Sequence, residues 1–152
     1  MEIRAGGLDD PAVVGLLRLH LAEMAERSPP ESVHALDLTG LAAPEIGFWT
    51  AWQGAALLGC GALKALGGGE GEIKSMRTAP DHLRKGVASV LLEHIVSEAR
   101  ARGYRLLYLE TGSGPAFEDA HAFYRRFGFS DCPAFGDYPK SDPFSRFMSL
   151  EL

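Results

Sequence analysis

Gly71-Glu72-Ile73-Lys74-Ser75-Met76-Arg77-Thr78, then Ala79-Pro80, then Arg84-Lys85-Gly86-Val87-Ala88 and a periodic apolar run to Arg102, decide how this chain folds. The first eight residues read as a strand and the proline as a turn. From Val87 onward Leu91, Ile95 and Ala99 recur four residues apart, with Val90 and Leu92 widening the stripe, which predicts an amphipathic helix. Glu98 and Arg102 make a favourable i,i+4 pair, and Gly103 supplies the stop. A strand that runs through a Gly-bearing loop into a helix N-terminus is a place to hold phosphate. The first amides of the helix lack internal partners, and the helix dipole is positive at that end.

Spacing chooses among nucleotide-binding patterns. No Walker A loop is present, and a Rossmann fingerprint needs three glycines where this loop offers one glycine and an alanine. The loop resembles instead the acyl-CoA loop of the GNAT acetyltransferases, Gln/Arg-x-x-Gly-x-Gly/Ala, with Gly86 and Ala88 at its last two specified positions and Arg84-Lys85 adding positive charge. Leu83 stands where that family prefers Gln or Arg. The backbone cradle survives this departure, because amides bind a pyrophosphate whatever side chain they carry.

The resemblance extends over most of the chain. Arg105 to Thr111 is an apolar strand with little alternation, as expected of one buried on both faces. A helix from Ala116 to Phe127 follows, and Ala120, Tyr124, Gly128 and Phe129 match the second GNAT signature, Ala-x-x-x-Tyr-x-x-x-Gly-Phe. Phe117 occupies a position where the family often carries Asn. The resemblance implies a GNAT fold of α/β (α+β) class over residues 1–152 as a single domain. Its sheet would be mixed, mostly antiparallel and twisted, with six to seven strands flanked by about four helices. It also implies acetyl-CoA as co-substrate with no metal, an amine acceptor on a small molecule or peptide, and, by family habit, a homodimer. The Ser32-Val33-His34-Ala35-Leu36-Asp37 stretch and Asp137-Tyr138 are similar to a bacterial GNAT branch labelled indoleacetic-acid acetyltransferases.

Composition agrees with an ordinary soluble enzyme. With 152 residues, 46% of them hydrophobic and 23% charged, one compact domain with a sizeable core is expected. The net charge of −5 does not favour nucleic acid or an anionic membrane. No apolar run approaches membrane-spanning length and no secretory leader is evident, so a cytoplasmic location is expected. Cys60 and Cys132 are too few for a disulfide framework or a metal site and read as free thiols.

In chain order, Met1 to Ala5 reads as an edge strand, and Asp10-Pro11 opens a helix with Asp as cap and Pro at the first helical position. Val14, Leu17, Leu21 and Met24 give that helix its expected core stripe, and Ser28-Pro29-Pro30 breaks it. Ser32 to Leu41 is a short helical or irregular connection; in GNAT proteins this segment commonly forms part of the acceptor pocket. Phe48 to Trp52 and Ala56 to Leu66 read as a hairpin turning at Gln53-Gly54, and Gly59 and Gly61 predict a bulge or close backbone approach. Gly67-Gly68-Gly69 is a turn. Asp131 to Asp142 is a Pro- and Gly-punctuated excursion, and Phe144 to Leu152 a final strand.

Acetyl transfer to an amine requires that the donor be held, the carbonyl polarised, the ammonium deprotonated and the leaving thiolate protonated. The Gly86, Val87 and Ala88 amides are the candidate pyrophosphate cradle, with Arg84 and Lys85 beside them. By the resemblance, the strand edge at Met76, Arg77 and Thr78 would pair with the pantetheine amides, and an N–H near Met76 would stabilise the oxyanion. Tyr124 is the candidate acid, protonated at neutral pH and placed by the family near the CoA sulfur. Glu72, on a face expected to carry Lys74 and Met76 as well, is the candidate base; Glu110, His34 and water compete for the role. His34 and Glu110 are also candidates for holding the acceptor. Trp49, Trp52 and Tyr138 read as core or pocket wall.

Two rival functions stay open. Leu107 to Gly114 resembles the first motif of SAM-dependent methyltransferases, but only 38 residues follow Gly114, too few for the strands such a domain still needs. The Leu83 and Phe117 departures leave room for an acyl-CoA sensor that binds without turnover.

Overall fold

In the computed structural model, which describes residues 1–152, the elements run β1 (Glu2–Ala5), α1 (Pro11–Arg27), α2 (Leu38–Leu41), β2 (Ile46–Gln53), β3 (Ala56–Gly67), β4 (Glu70–Thr78), α3 (Val87–Ala101), β5 (Leu106–Gly112), α4 (Glu118–Phe127), β6 (Ser130–Cys132) and β7 (Ser145–Glu151). All seven strands join one sheet in the order β1-β2-β3-β4-β5-β7-β6. Every neighbouring pair is antiparallel except β4 and β5. Between those two strands runs α3, the crossover that a parallel pair requires.

Local chemistry accounts for the ends. The Asp10 side chain accepts from the Ala12 amide at 2.8 Å, and Pro11 follows it. Gly86 starts α3 with φ +81 and contributes no side-chain cap, and Gly103 follows the helix with φ +79, a left-handed turn suited to glycine. Along α3, Val87, Leu91, Leu92, Ile95, Val96 and Ala99 are buried. Each large apolar side chain there is worth about 1.5–3 kcal/mol. The close seat depends on β3: a Cβ on Gly61 would lie 2.8 Å from the Ile95 Cδ1, and one on Gly59 3.0 Å from the Val87 Cγ1.

The sheet is cored on both faces. Under α3 and α4 lie Trp49, Leu63, Ile73, Leu107, Leu109 and Met148; under α1 and α2 lie Phe48, Trp52, Cys60 and Ala62. The stripe expected on α1 is rotated. Val13, Leu16, Leu17 and His20 are buried, whereas Val14, Leu21 and Met24 are only half-buried. The helix packs on Trp52 and Cys60 through the first set, and Met24 turns toward a cavity. A short strand, Ser130–Cys132, stands at the start of the stretch read as an excursion, and the helix expected from Ala116 opens as a 3₁₀ turn, Pro115–Phe117.

Between β4 and β5 the pairing runs from Glu70↔Leu106 to Ile73↔Leu109 and stops. Beyond it β4 holds only to β3, with a bulge in which Lys74 and Arg77 bracket one residue more than Cys60 and Ala62 opposite. Ser75, at φ +53, is the bulge residue in the left-handed region. The bulge breaks the alternation expected for Glu72, Lys74 and Met76. Glu72 and Lys74 face the excursion, while Met76 packs beneath α3, where a Cβ on Gly61 would meet its sulfur.

Candidate active site

The splay leaves a cavity of about 250 Å³ that passes through the sheet between the free ends of β4 and β5. His20, Met24 and Arg27 reach it from α1, His34 from the connection after α1, Glu72, Lys74, Met76 and Arg77 from β4, Glu110 from β5 and Tyr124 from α4. Where parallel neighbours separate, strand edge and side chains from both faces become exposed at one level of the sheet. Groups under α1 and groups under α4 meet there.

Its charges are arranged unevenly. Glu72 is 3% exposed, and its carboxylate accepts from the Lys74 ammonium at 3.1 Å and from the Tyr138 hydroxyl at 2.5 Å. Lys74 also donates to the Tyr138 oxygen at 2.9 Å and to the His34 carbonyl at 3.5 Å, so all three ammonium hydrogens have acceptors. The pair is mutually neutralising, and its burial is compensated. Glu110 has no such counter-ion at hydrogen-bond distance, and burial pushes it up to about 7. A carboxyl with that value near neutral pH suits proton transfer. Burial likewise raises Tyr124 above the ordinary phenol range, so it is fully protonated at neutral pH. The Nε2 of His34 is buried without a partner, and so is the hydroxyl of Ser75.

At the α1 side the Arg77 guanidinium donates to Glu23 at 2.5 Å and Arg27 lies 3.5 Å from the same carboxylate. Its bond to Arg77 holds Glu23 below the usual carboxylate range. His20 is brought down to about 4 by burial and then by Arg77, and is neutral.

The loop between β4 and α3 lies outside the cavity lining. Arg84 and Lys85 are exposed, and Arg84 has φ +63. At Gly86 nothing lies within 4 Å of where a Cβ would stand, so the backbone is open to approach. The first helical bond is from Val90 to the Gly86 carbonyl, which leaves the preceding amides, Val87 and Ala88 among them, without intrahelical partners. The chemistry of this donor set fits a pyrophosphate.

A second, more open cavity of about 620 Å³ adjoins Glu72, Lys74 and His34, walled by Tyr108, Phe135 and Tyr138. Phe135 stacks on Tyr108 at 4.4 Å between centroids, and the His34 ring meets Tyr138 edge-on at 4.9 Å. Ser32 donates to Asp142 at 2.6 Å, tying the connection after α1 to the excursion.

Thus Glu72, Met76, Arg77, Glu110, Tyr124 and His34 come together around one cavity, while Thr78, the last residue of β4, and Arg84 to Ala88 after it lie outside the lining. Trp49 and Trp52 are core, and Tyr138 is a pocket wall that also bonds Glu72. Lys74, Arg27 and His121 did not stand out in the sequence. His121 is buried and bonds the Thr111 hydroxyl at 2.7 Å and the Gly112 carbonyl at 3.0 Å, fixing α4 to the end of β5. The two-residue spacing of Glu72 and Lys74 on a strand was the one available signal for that pair. Cys60 and Cys132 are free thiols, and burial pushes Cys60 up to about 12. No group of three or more His, Cys, Asp or Glu could hold a metal ion, and no helix is long and apolar enough to cross a membrane.

Known proteins are similar to this chain in sequence and in fold. The model of the acetyltransferase (GNAT) family matches residues 13–129. YsnE of Bacillus subtilis (strain 168), described as an uncharacterized N-acetyltransferase, is 53% identical over 152 residues, covering 100% of both chains. The IAA acetyltransferase of Azospirillum brasilense is 41% identical over 142 residues, 93% of this chain and 91% of that protein. Among solved structures, one from Klebsiella pneumoniae subsp. pneumoniae, provisionally described as an acyl-CoA N-acyltransferase, matches with TM-score 0.82 and 28% identity, covering 99% of this chain and 97% of that one. An aminoglycoside 6′-N-acetyltransferase solved with coenzyme A shares the fold at TM-score 0.73 and 15% identity, with coverages of 99% and 97%.

Proposed function

The chain belongs to the acetyltransferase (GNAT) family, with its fold, and is an acyltransferase; from that premise we propose that it moves the acetyl group of acetyl-CoA directly onto the amine of a small acceptor. The observation that carries this reading is the gap between β4 and β5, with a near-neutral carboxyl, Glu110, and a buried phenol, Tyr124, lining the same cavity. A direct transfer needs a proton acceptor and a proton donor on either side of the reacting carbon; Glu110 is poised near neutral pH to accept, and Tyr124 carries its proton there to give.

In this reading the amides of Gly86, Val87 and Ala88 hold the pyrophosphate, with Arg84 and Lys85 adding charge. The edge of Met76, Arg77 and Thr78 left free by β5 takes the pantetheine arm as an added strand. An N–H of the bulge near Met76 polarises the carbonyl. Tyr124 protonates the departing sulfur. Glu110 receives the proton of the ammonium, and Glu72, bound to Lys74 and Tyr138, serves to hold Lys74 and the pocket wall in place. This moves the base from Glu72 to Glu110, because the Glu72 carboxylate is already engaged by an ammonium and a hydroxyl. His34, which lines both cavities, borders the acceptor. A cytoplasmic enzyme using cytoplasmic acetyl-CoA is consistent with this chemistry.

The test is release of CoA thiol from acetyl-CoA with a panel of primary amines. Amine-dependent release supports transfer. Tight acetyl-CoA binding without amine-dependent release supports the sensor reading instead.

A further inference from the structure

The cavity carries a surplus positive charge on one side and a carboxyl without a counter-ion on the other. On the α1 side two guanidiniums, Arg27 and Arg77, share one carboxylate, Glu23. Glu23 takes one nitrogen from each, and the Nε of Arg77 is buried with no partner at all. A guanidinium has five N–H donors in a rigid fork, so this corner has donors and one positive charge to spare. The adjacent His20 adds none, being neutral. On the β5 side the Glu72 charge is cancelled by Lys74, whose donors are all used. Glu110 is left as the unmatched carboxyl.

We infer that the acceptor is a small zwitterion of the amino-acid class, its carboxylate held by Arg27 and Arg77 and its amine presented to Glu110. This rests on the acetyl-transfer reading above and names the substrate class for it. Both surplus groups line one cavity of about 250 Å³, which has room for a small molecule. A carboxylate entering beside Arg77 satisfies the orphaned Nε and lies between two guanidiniums, where its hydrogen bonds are charge-assisted. An acceptor with an amine alone would leave that corner unsatisfied, which is how a site built for a polar group rejects the analogue lacking it.

The step balances. The ammonium yields one proton to Glu110, and the neutral nitrogen bonds to the acetyl carbon as the carbon–sulfur bond breaks. The electron pair of that bond leaves on sulfur, which takes the Tyr124 proton. The second nitrogen proton is lost as the amide forms and restores Tyr124, while Glu110 passes its proton to solvent.

The experiment compares initial rates of acetylation for matched acceptors: a series of free amino acids, their carboxamides, and the corresponding decarboxylated amines. Wild type is expected to show kcat/KM at least tenfold higher for some free amino acids than for their amides, most of it in KM. Arg27→Gln is expected to remove about tenfold from the free acid and nothing from the amide, with acetyl-CoA affinity unchanged and Arg27→Lys restoring part of the loss. Arg27 sits half-exposed at the last turn of α1, so these variants fold. Equal wild-type rates with acid and amide, or acetylation confined to larger amines without a carboxylate, would overturn the inference and leave acetyl transfer standing. A fall in acetyl-CoA affinity in Arg27→Gln would also overturn it, assigning the guanidiniums to the co-substrate's phosphates. No acetylation of any amine would sink the transfer reading itself.

Discussion

Replacing Glu110 by Gln separates the cost of this carboxyl to the fold from its use. Burial raises it from 4.5 to about 7. At 1.36 kcal/mol per pH unit this gap corresponds to about 3 kcal/mol, an upper figure because the side chain is not fully enclosed. The folded state holds the proton more tightly than the unfolded chain. Below pH 4.5 the carboxyl is neutral in both states and costs nothing; between pH 4.5 and 7 ionisation increasingly opposes folding, and above pH 7 the full penalty is present. Glu110→Gln is neutral throughout, so it is expected to match wild type in denaturant stability at about pH 4 and to exceed it by up to about 3 kcal/mol at about pH 8. Activity should move the other way. Wild-type kcat/KM is expected to rise with pH up to about 7 and then level, whereas the mutant, dependent on amine already neutral in solution, keeps rising toward the pKa of the amine. At about pH 7 its deficit should be about a hundredfold, the lower part of the range for a general base, and it should narrow at higher pH. The two profiles are measured with one amine under conditions where chemistry limits the rate. A break near neutral pH in both proteins, or a mutant no more stable in mild alkali than wild type, would refute the assignment.

Three further outcomes are expected. Gly86→Asp should weaken acetyl-CoA binding at least tenfold by calorimetry with a modest loss of stability, about 1–2 kcal/mol for a side chain held at φ +81, because it brings negative charge to the amides meant for phosphate. Tyr124→Phe keeps the ring in the core and removes the proton, so stability and acetyl-CoA affinity should hold while turnover falls roughly tenfold to a hundredfold; donors with a more acidic thiol should lose less. Lys74→Met leaves the Glu72 carboxylate buried with only the Tyr138 hydroxyl, so denaturant stability should drop by about 3–5 kcal/mol at neutral pH.

The frame of the fold was legible because its signals are local. The Val87-Leu91-Ile95-Ala99 period, the stop at Gly103 and the Asp10-Pro11 start all act within a turn or two of the residues they shape. The buried face of α1 is displaced by one position because Val13 and Val14, then Leu16 and Leu17, offer two overlapping stripes, and the buried one ends in a polar residue, His20. Only the facing Trp52 and Cys60 choose between them. Ser130–Cys132 carries no apolar alternation and becomes a strand because β7 stands beside it. The bulge at Ser75 has no glycine on its own strand beside it, and Gly61 opposite it signals a bulge or a close approach without saying which strand carries the extra residue, so the face of Met76 was beyond a period-2 reading. The candidate site was nominated in the sequence through Gly86 and Tyr124, which sit in spaced motifs. It was not legible in the Glu72–Lys74–Tyr138 network, whose last member lies 64 residues from Lys74 and is brought in by an irregular segment.

Acetyl transfer itself is tested most directly by following an isotope-labelled acetyl group, supplied as acetyl-CoA with a mixture of small amines and amino acids. Label is expected on an acceptor nitrogen, in amounts equal to the CoA thiol released and suppressed in Tyr124→Phe and Glu110→Gln. Labelled acetyl-CoA that stays bound and intact, or is released only as acetate, would contradict it.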